Sequence, residues 1–174
     1  GNWAVYHQSL GTNTIRLSTT DAQDTSADAF NSTAPTDTLM YLGTWAGTNG
    51  SNVNWVSYLW SEIEGFSKFG SYTGNGSTDG PFVYCGFKPA FLLVKLSSTT
   101  NGHWILWDSS RTPTNLATNA MSPNNNWAET ANFDVDLLSN GFKQRDTETS
   151  LNVNGNTYIF AAFAESPFQT ANSK

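Results

Sequence analysis

The sequence predicts an all-β fold, an antiparallel β-sandwich of the jelly-roll or lectin-like type with little or no helix. Only 13% of the 174 residues are charged, and 19 Asn with many Ser and Thr supply the polar surface, a composition typical of turn-rich β proteins. Short runs of aromatic and β-branched residues alternate with Gly- and Asn-containing segments. No stretch shows the 3.6-residue apolar period of a helix. The length is typical of one compact domain, residues 1–174.

The centre of the predicted core lies in residues 64–95. A turn of small residues at 73–80 contains Asn75-Gly76, and it separates two strand-like runs. The run at residues 90–95 is apolar at the successive positions 90–94, which indicates a strand buried on both faces. We expect the turn to act as a joint that sets how two lobes of the domain pack, rather than as a binding loop.

The remaining elements follow in chain order. Residues 18–29, 47–52 and 109–132 are rich in small polar residues, Gly or Pro, and are predicted to be loops. Aromatic and β-branched residues favour strand over helix in the run 54–63, which contains three aromatic residues. The predicted strands are residues 3–7, 14–17, 38–42, 54–63, 82–85, 90–95, 103–108, 133–138, 141–145 and 157–165.

Charge and cysteine content exclude several classes of function. A net charge of −6 and a pI near 4.6 argue against a nucleic-acid partner, which requires a basic surface. The single cysteine, Cys85, excludes an internal disulfide and a cysteine-based zinc site. No apolar run approaches the length of a membrane span.

The sequence also contains an apparent internal repeat. Trp55/Tyr158, Val56/Ile159, Trp60/Phe163, Glu62/Glu165 and Phe30/Phe133 match at a constant separation of 103 residues. The repeat predicts a full unit at residues 67–168 and the rear part of another at residues 2–66. Either the sequence is a piece of a longer chain, or the two parts complete one sandwich together.

Several motifs carry a resemblance to a known family. They are residues 66–80 (FSKFGSYTGNGSTDG), 86–91 (GFKPAF) and 138–143 (LSNGFK), with Trp104, Asp108, Arg111 and the closing run 157–168. Together they resemble a tail-fibre-associated domain of phage and prophage structural proteins. The resemblance implies an extracellular virion component of β-sandwich type, with other tail or fibre subunits as partners and a homotrimer as the expected assembly. Residues 2–66 depart from the pattern, since they match only its rear part.

The ionisable residues do not form a recognisable catalytic or metal-binding motif. Glu62 with Glu64, and Asp134 with Asp136, are paired carboxylates of the kind that a glycoside hydrolase places across a sugar, but solvated strand ends and loop caps are the favoured explanation. His7 and His103 lack the neighbours of a triad or a zinc site. We therefore expect no catalytic residues, no metal and no cofactor.

The aromatic residues give the stronger indication of function. Three tryptophans lie next to loops rich in Asn and Gly: Trp45, Trp107 and Trp127. Asp108 and Arg111 lie beside Trp107. These five residues form the predicted ligand site, because a sugar stacks its C–H face on an aromatic ring and hydrogen-bonds to nearby polar groups. The alternative is structural: the tryptophans cover the open ends of the sandwich, and Asp108 with Arg111 forms an ion pair that pins residues 109–132.

Three functions of different classes remain open at this point. The favoured one is a non-enzymatic structural or adhesion domain of a phage tail or fibre protein that binds a host-surface polysaccharide through loop aromatics. The alternatives are a carbohydrate-binding module of a secreted enzyme and, less favoured, a glycan depolymerase.

Overall fold

The computed structural model describes residues 2–165, and these residues form an almost entirely β structure with antiparallel pairing throughout. The predicted fold class is confirmed. The helical content of the described residues is one four-residue α-helix, α1 (Ala46–Asn49), and one 3-10 turn at Gln8–Leu10. The strands are β1 (Ala4–Tyr6), β2 (Thr14–Arg16), β3 (Ser67–Thr73), β4 (Phe82–Tyr84), β5 (Pro89–Leu96), β6 (Trp104–Asp108), β7 (Val135–Leu138), β8 (Gly141–Gln144) and β9 (Thr157–Ala164).

Two sheets form the sandwich. One has the strand order β3-β9-β5-β6 and the other β4-β8-β7. Strand β5 lies inside the larger sheet, where Leu92 is opposite Ala162 of β9 on one side and Trp107 of β6 on the other. Strand β5 has a neighbouring strand at each edge and packs on both faces. This explains its run of apolar residues and agrees with the prediction of a strand buried on both faces.

The core lies between the two sheets. Alternate residues of β9, among them Tyr158 and Phe160, point inward and meet residues of the smaller sheet such as Phe142. Each large apolar side chain that is fully buried in this way stabilises the fold by about 1.5–3 kcal/mol. The other inward-facing core residues include Tyr72, Val83, Leu92, Val94, Leu96, Trp107, Val135 and Leu137.

The N-terminal hairpin covers part of the outer face of the larger sheet. Strands β1 and β2 pair with each other, and their residue Ile15 packs in a small second cluster with Trp104 of β6 and Ile159 of β9. The indole Nε1 of Trp104 donates a hydrogen bond to the carbonyl oxygen of Arg16 at 2.9 Å. The hairpin is therefore attached to the sandwich by apolar packing and by a directed hydrogen bond.

A buried lysine, Lys95, joins the loop at residues 18–29 to the sandwich. The Lys95 side chain is fully buried, and its Nζ donates to the carbonyl oxygens of Asp21 at 2.8 Å, Leu96 at 2.8 Å and Gly102 at 3.0 Å. Burial lowers the pKa of Lys95 to about 8, and the nearby Asp21 carboxylate acts in the opposite direction. Because Asp21 belongs to residues 18–29 and Lys95 to β5, the ammonium ties the N-terminal loop to the sandwich.

The turn at residues 73–80 joins the two sheets. Strand β3 before it pairs with β9, and strand β4 after it pairs with β8, so the two strands do not form a hairpin with each other. Gly76 has a φ of 67°, a conformation that favours glycine. A Cβ on Gly74 would lie 2.3 Å from the carbonyl oxygen of Val153, so the close approach of the two backbones also requires glycine.

The side chain of Asn152 holds this turn in place. It is fully buried; its Oδ1 accepts from the backbone N–H of Asn75 at 2.8 Å, and its Nδ2 donates to the carbonyl oxygens of Ser77 at 2.7 Å and Asp146 at 2.9 Å. A buried amide with its donors and acceptor satisfied fixes one geometry. The turn thus acts as a connection between the sheets.

Two predicted strands are absent. Residues 38–42 and 54–63 lie outside the sheets, with one isolated bridge from Ile63 to Ser67. Residues 54–60 run in an extended conformation over the surface and make no hydrogen bond to another described residue. Their composition has the expected β character, but no strand within residues 2–165 pairs with them, so the prediction of two strands here was wrong.

The internal repeat stays a prediction. Trp55 of its first part is exposed and outside any strand, whereas its partner Tyr158 is fully buried in β9. The end of the predicted unit, including Pro167 and Phe168, lies outside the described residues.

Cys85 is the single cysteine, so the chain forms no internal disulfide, and burial raises the pKa of its thiol to about 12. Within residues 2–165, no helix is long and apolar enough to span a bilayer.

Candidate functional site

The candidate site is on the long loop between β6 and β7, residues 109–134. Isolated bridges attach this loop to its surroundings, from Met121 to Leu106 of β6 and from Ala117 to Val135 of β7, and Ala120 pairs with Thr130 across the loop itself. Ala117 and Ala120 are fully buried. The loop is therefore irregular in conformation but anchored at several points, which suits a binding surface.

Trp127 presents its ring at the tip of this loop. The side chain is 53% exposed, and its ring packs on the imidazole of His103 with 4.4 Å between ring centroids and 47° between the planes. Its backbone N–H donates to Oδ1 of Asn125 at 2.9 Å. One part of the indole is thus supported by the protein while the rest faces solvent.

Two amides orient the imidazole below Trp127. Nδ2 of Asn124 and Nδ2 of Asn125 lie 3.0 and 3.1 Å from Nδ1 of His103. Because an amide nitrogen can only donate, Nδ1 is the acceptor and the neutral ring carries its proton on Nε2. Oδ1 of Asn124 also accepts from the backbone N–H of Trp104 at 2.9 Å, which links the arrangement to β6. The site therefore combines a supported aromatic ring with fixed amide groups.

A shallow depression adjoins the exposed indole. It has a volume of about 450 Å³ and is lined by Trp127, Ala128, Glu129, Thr130, Asn132 and Phe133. Phe133 is buried and forms part of its apolar wall, while Glu129 and Thr130 supply oxygen atoms. An apolar wall with a few polar groups is a feature that this depression shares with small-ligand sites, which are usually more enclosed.

A chain of charges supports one side of the depression. Arg111 pairs with Asp108 at 2.6 Å and also with Glu129. Oδ1 of Asp108 further accepts from the backbone N–H groups of Ser110 and Arg111. These contacts raise the pKa of Arg111, first through Glu129 and then through Asp108. The ion pair that pins the loop is therefore present, and it extends to Glu129.

One predicted site residue has no surface for a ligand. Trp107 is fully buried on β6, and its indole Nε1 donates to the carbonyl oxygen of Phe133 at 2.9 Å. The expectation that it contacts a ligand is corrected: strand alternation turns its ring into the core, where it supports the loop from below.

Trp45 lies in the N-terminal part of the chain, next to α1, and not on the β6–β7 loop. Its ring is half-buried, and the guanidinium of Arg16 lies over it at 5.6 Å from the ring centroid. Of the five predicted residues, the structure brings Asp108 and Arg111 together around Glu129, two positions from Trp127. It does not bring Trp45 into this group.

The prediction missed His103, Asn124 and Glu129 as members of the site. The Asn triplet beside Trp127 was a visible signal, since amides next to an aromatic residue are typical of sugar sites. The His103–Trp127 contact spans 24 residues and depends on how the loop folds back over β6, which no local pattern indicates.

One carboxylate of each predicted pair is engaged in an ion pair. Glu62 forms an ion pair with Lys68, and Asp136 pairs with Arg145 at 2.7 Å. Burial raises the pKa of Asp134, and the charge of Asp146 adds to the effect. Among residues 2–165, no group of three or more His, Cys, Asp or Glu side chains is arranged to hold a metal ion.

Comparison with known proteins gives one match. The family model described as "Domain of unknown function (DUF7483)" matches residues 1–167. No curated protein and no solved structure matches the chain.

Proposed function

This chain belongs to the DUF7483 family, and we propose that it is a non-enzymatic structural and adhesion domain of a phage tail or fibre protein that binds a surface glycan through Trp127. The observation that carries the glycan part of the proposal is the half-exposed indole of Trp127, which His103 supports from one side.

The geometry around Trp127 suits a sugar. An exposed indole accepts the C–H face of a pyranose ring, and the Glu129 and Thr130 side chains that line the depression supply hydrogen-bonding groups for its hydroxyls. The adjoining depression is open rather than deep, which fits one or two residues of a polysaccharide chain. Glu129 and the net charge of −6 favour a neutral glycan over a strongly anionic one.

The virion part of the proposal is supported by the sequence motifs that resemble tail-fibre-associated domains. Its partners would be other subunits of the tail or fibre, in an extracellular location, with a trimer as the expected assembly. A single aromatic ring gives weak binding, and several copies on one fibre would raise the overall affinity through multivalency. Neighbouring copies of the domain, or a fibre shaft encoded in the same gene, would support this assignment.

The glycan site is tested by binding to arrayed bacterial surface polysaccharides, followed by titration of the tryptophan fluorescence. We expect Trp127→Ala to weaken binding by at least about tenfold, because it removes the ring that stacks on the sugar. Tyr84→Ala is the matched control, since Tyr84 is an aromatic residue of similar exposure on β4, away from the loop. Equal binding by both variants would place the glycan elsewhere.

The same polysaccharides separate the alternatives. A carbohydrate-binding module of a secreted enzyme would bind as a monomer, without fibre partners. A depolymerase would lower the viscosity of a polysaccharide solution with time, and that result would overturn the non-enzymatic assignment.

A further inference from the structure

The extended segment at residues 53–60 exposes an unusual amount of apolar surface. Val56 is 65% exposed, Leu59 73% and Trp60 64%. In an extended segment successive side chains face opposite sides, so Leu59 is expected on the side opposite to Val56 and Trp60. Residues 54–60 make no hydrogen bond to any other described residue. The segment therefore has the sequence and conformation of a strand, but within residues 2–165 it has no strand partner.

The segment is held in place at its C-terminal end. Trp60 packs edge-on against Phe163 of β9, with 6.5 Å between ring centroids, and Tyr58 stacks on Trp60 at 6.2 Å. Ile63 forms an isolated bridge to Ser67 at the start of β3. These contacts position the apolar residues on the outer side of the larger sheet.

The exposed area is too large for a surface that stays uncovered. Since one aromatic side chain alone carries about 150–250 Å² of surface, the exposed side chains of residues 53–60 present roughly 800 Å². The largest apolar patch on a typical monomer is about 300–600 Å². One partner in a stable protein interface contributes about 800 Å². The segment alone therefore supplies the area that such an interface needs.

The chemistry of the segment favours a second copy of the chain as the partner. No Asp, Glu, Lys or Arg occurs between residues 38 and 61, so equivalent segments meet around a symmetry axis without opposing like charges. This matters because the chain as a whole carries −6. The N–H and C=O groups of residues 54–60 bond to no other described residue, and an extended backbone of this kind gains hydrogen bonds from a neighbouring strand.

We propose that residues 53–60 are a self-association strand, covered by a second copy of this chain in the assembled protein. The proposal does not depend on glycan binding, since the segment and Trp127 belong to different loops. It supplies the apolar segment with the neighbour that residues 2–165 do not provide.

Sedimentation velocity over protein concentrations of about 1–100 μM tests the proposal, because a standard interface of this area gives dissociation constants at or below that range. We expect wild-type protein to associate and the double variant Val56→Lys/Leu59→Lys to raise the dissociation constant at least about tenfold, since it places charges on both sides of the strand. The matched control is Phe82→Lys/Tyr84→Lys, which changes two exposed apolar residues of β4.

A wild-type protein that stays monomeric at about 100 μM would overturn the proposal, and so would equal association by the wild type and the Val56→Lys/Leu59→Lys variant. Circular dichroism of each variant establishes that it is folded. Amide hydrogen exchange in wild-type protein gives a measurement that needs no variant: protection of residues 54–60 should rise with protein concentration. Exchange that is independent of concentration would contradict the proposal. Trp127→Ala should associate like the wild type, so failure at the glycan site and failure at this interface are distinguishable.

Discussion

Two regions of the chain both contain many apolar and aromatic residues, but one region buries them and the other exposes them. Residues 67–164 form the sandwich, with seven strands and a continuous core. Residues 2–66 contain two three-residue strands and one short helix, yet ten of the thirteen exposed large apolar side chains of the described chain belong to them. Apolar composition therefore does not decide burial. A strand-forming sequence becomes core when other strands flank its edges and a second sheet covers its face.

The N-terminal region is attached to the sandwich by a few separate contacts rather than by a shared core. They include the small cluster around Ile15 and Trp104, the hydrogen bond from Trp104 to Arg16, the carbonyl contacts of Lys95, and a hydrogen bond from His7 to β9. Such a region should respond to mutation locally, while the sandwich should respond as one cooperative unit. The predictions below test this difference.

The largest effect is expected for a tryptophan of the sandwich core. Trp107→Ala should lower the free energy of unfolding by about 3–5 kcal/mol, because it leaves a large cavity and an unpaired carbonyl at Phe133. Trp60→Ala, in the exposed segment, should cost less than about 1 kcal/mol. Chemical denaturation at low protein concentration measures both.

If the two variants lost similar amounts of unfolding free energy, the proposed difference between the sandwich and residues 2–66 would be wrong. Such a result would mean that residues 54–63 pack into a core in solution. The denaturant dependence of the unfolding free energy should be the same in both variants, because neither substitution changes which part of the chain unfolds cooperatively.

An intermediate effect is expected for the lysine that joins the regions. Lys95→Met should lower the free energy of unfolding by about 1–2 kcal/mol. Three carbonyl groups lose a charged donor, and this loss is partly offset because the ammonium no longer has to be buried. Hydrogen exchange should show increased opening of residues 18–25, with the sandwich strands unaffected. Loss of protection throughout β5 and β9 would instead show that Lys95 stabilises the sandwich itself.

The sequence predicted the sandwich well because its signals there are local. The apolar run of β5, the strands β6 to β9 and the position of the 73–80 turn all follow from residue pattern and turn chemistry. The strand predicted at 54–63 failed for a physical reason: whether an extended segment enters a sheet depends on a neighbour, and a neighbour is a property of the whole fold. The pattern identified the strand-forming sequence, but it did not show that the segment pairs with no strand of residues 2–165.

The candidate site was predictable only in part, for a similar reason. Trp127 and the Asp108–Arg111 pair are close in sequence, so their proximity was expected. The burial of Trp107 follows from strand alternation once the inward face of β6 is known, but its flanking residues Leu106 and Asp108 do not indicate that face unambiguously. The support of Trp127 by His103 depends on the path of the loop, which local sequence does not determine.

The smallest predicted effect concerns pH and the attachment of the N-terminal region. The buried ring of His7 donates from Nε2 to the carbonyl oxygen of Phe160 at 3.0 Å, and its Nδ1 accepts from the N–H of Ser9 at 3.2 Å. Both contacts fit the neutral ring, and burial lowers the pKa of His7 below its usual 6.5. In the acid range below 6.5 the unfolded chain therefore binds the proton more readily than the folded chain, so stability falls as the pH falls.

We expect the contribution of His7 to decrease by at most about 1 kcal/mol between pH 7.5 and pH 5, since one hydrogen bond to Ser9 is lost on protonation. Denaturation at the two pH values in wild type and in His7→Gln measures it, because glutamine keeps a donor and an acceptor but does not titrate. His103→Gln is the control, as His103 is the other histidine of the chain. If His103→Gln removed the pH dependence and His7→Gln did not, the acid-sensitive contact would lie at the Trp127 loop, and the attachment of the N-terminal region would not depend on pH.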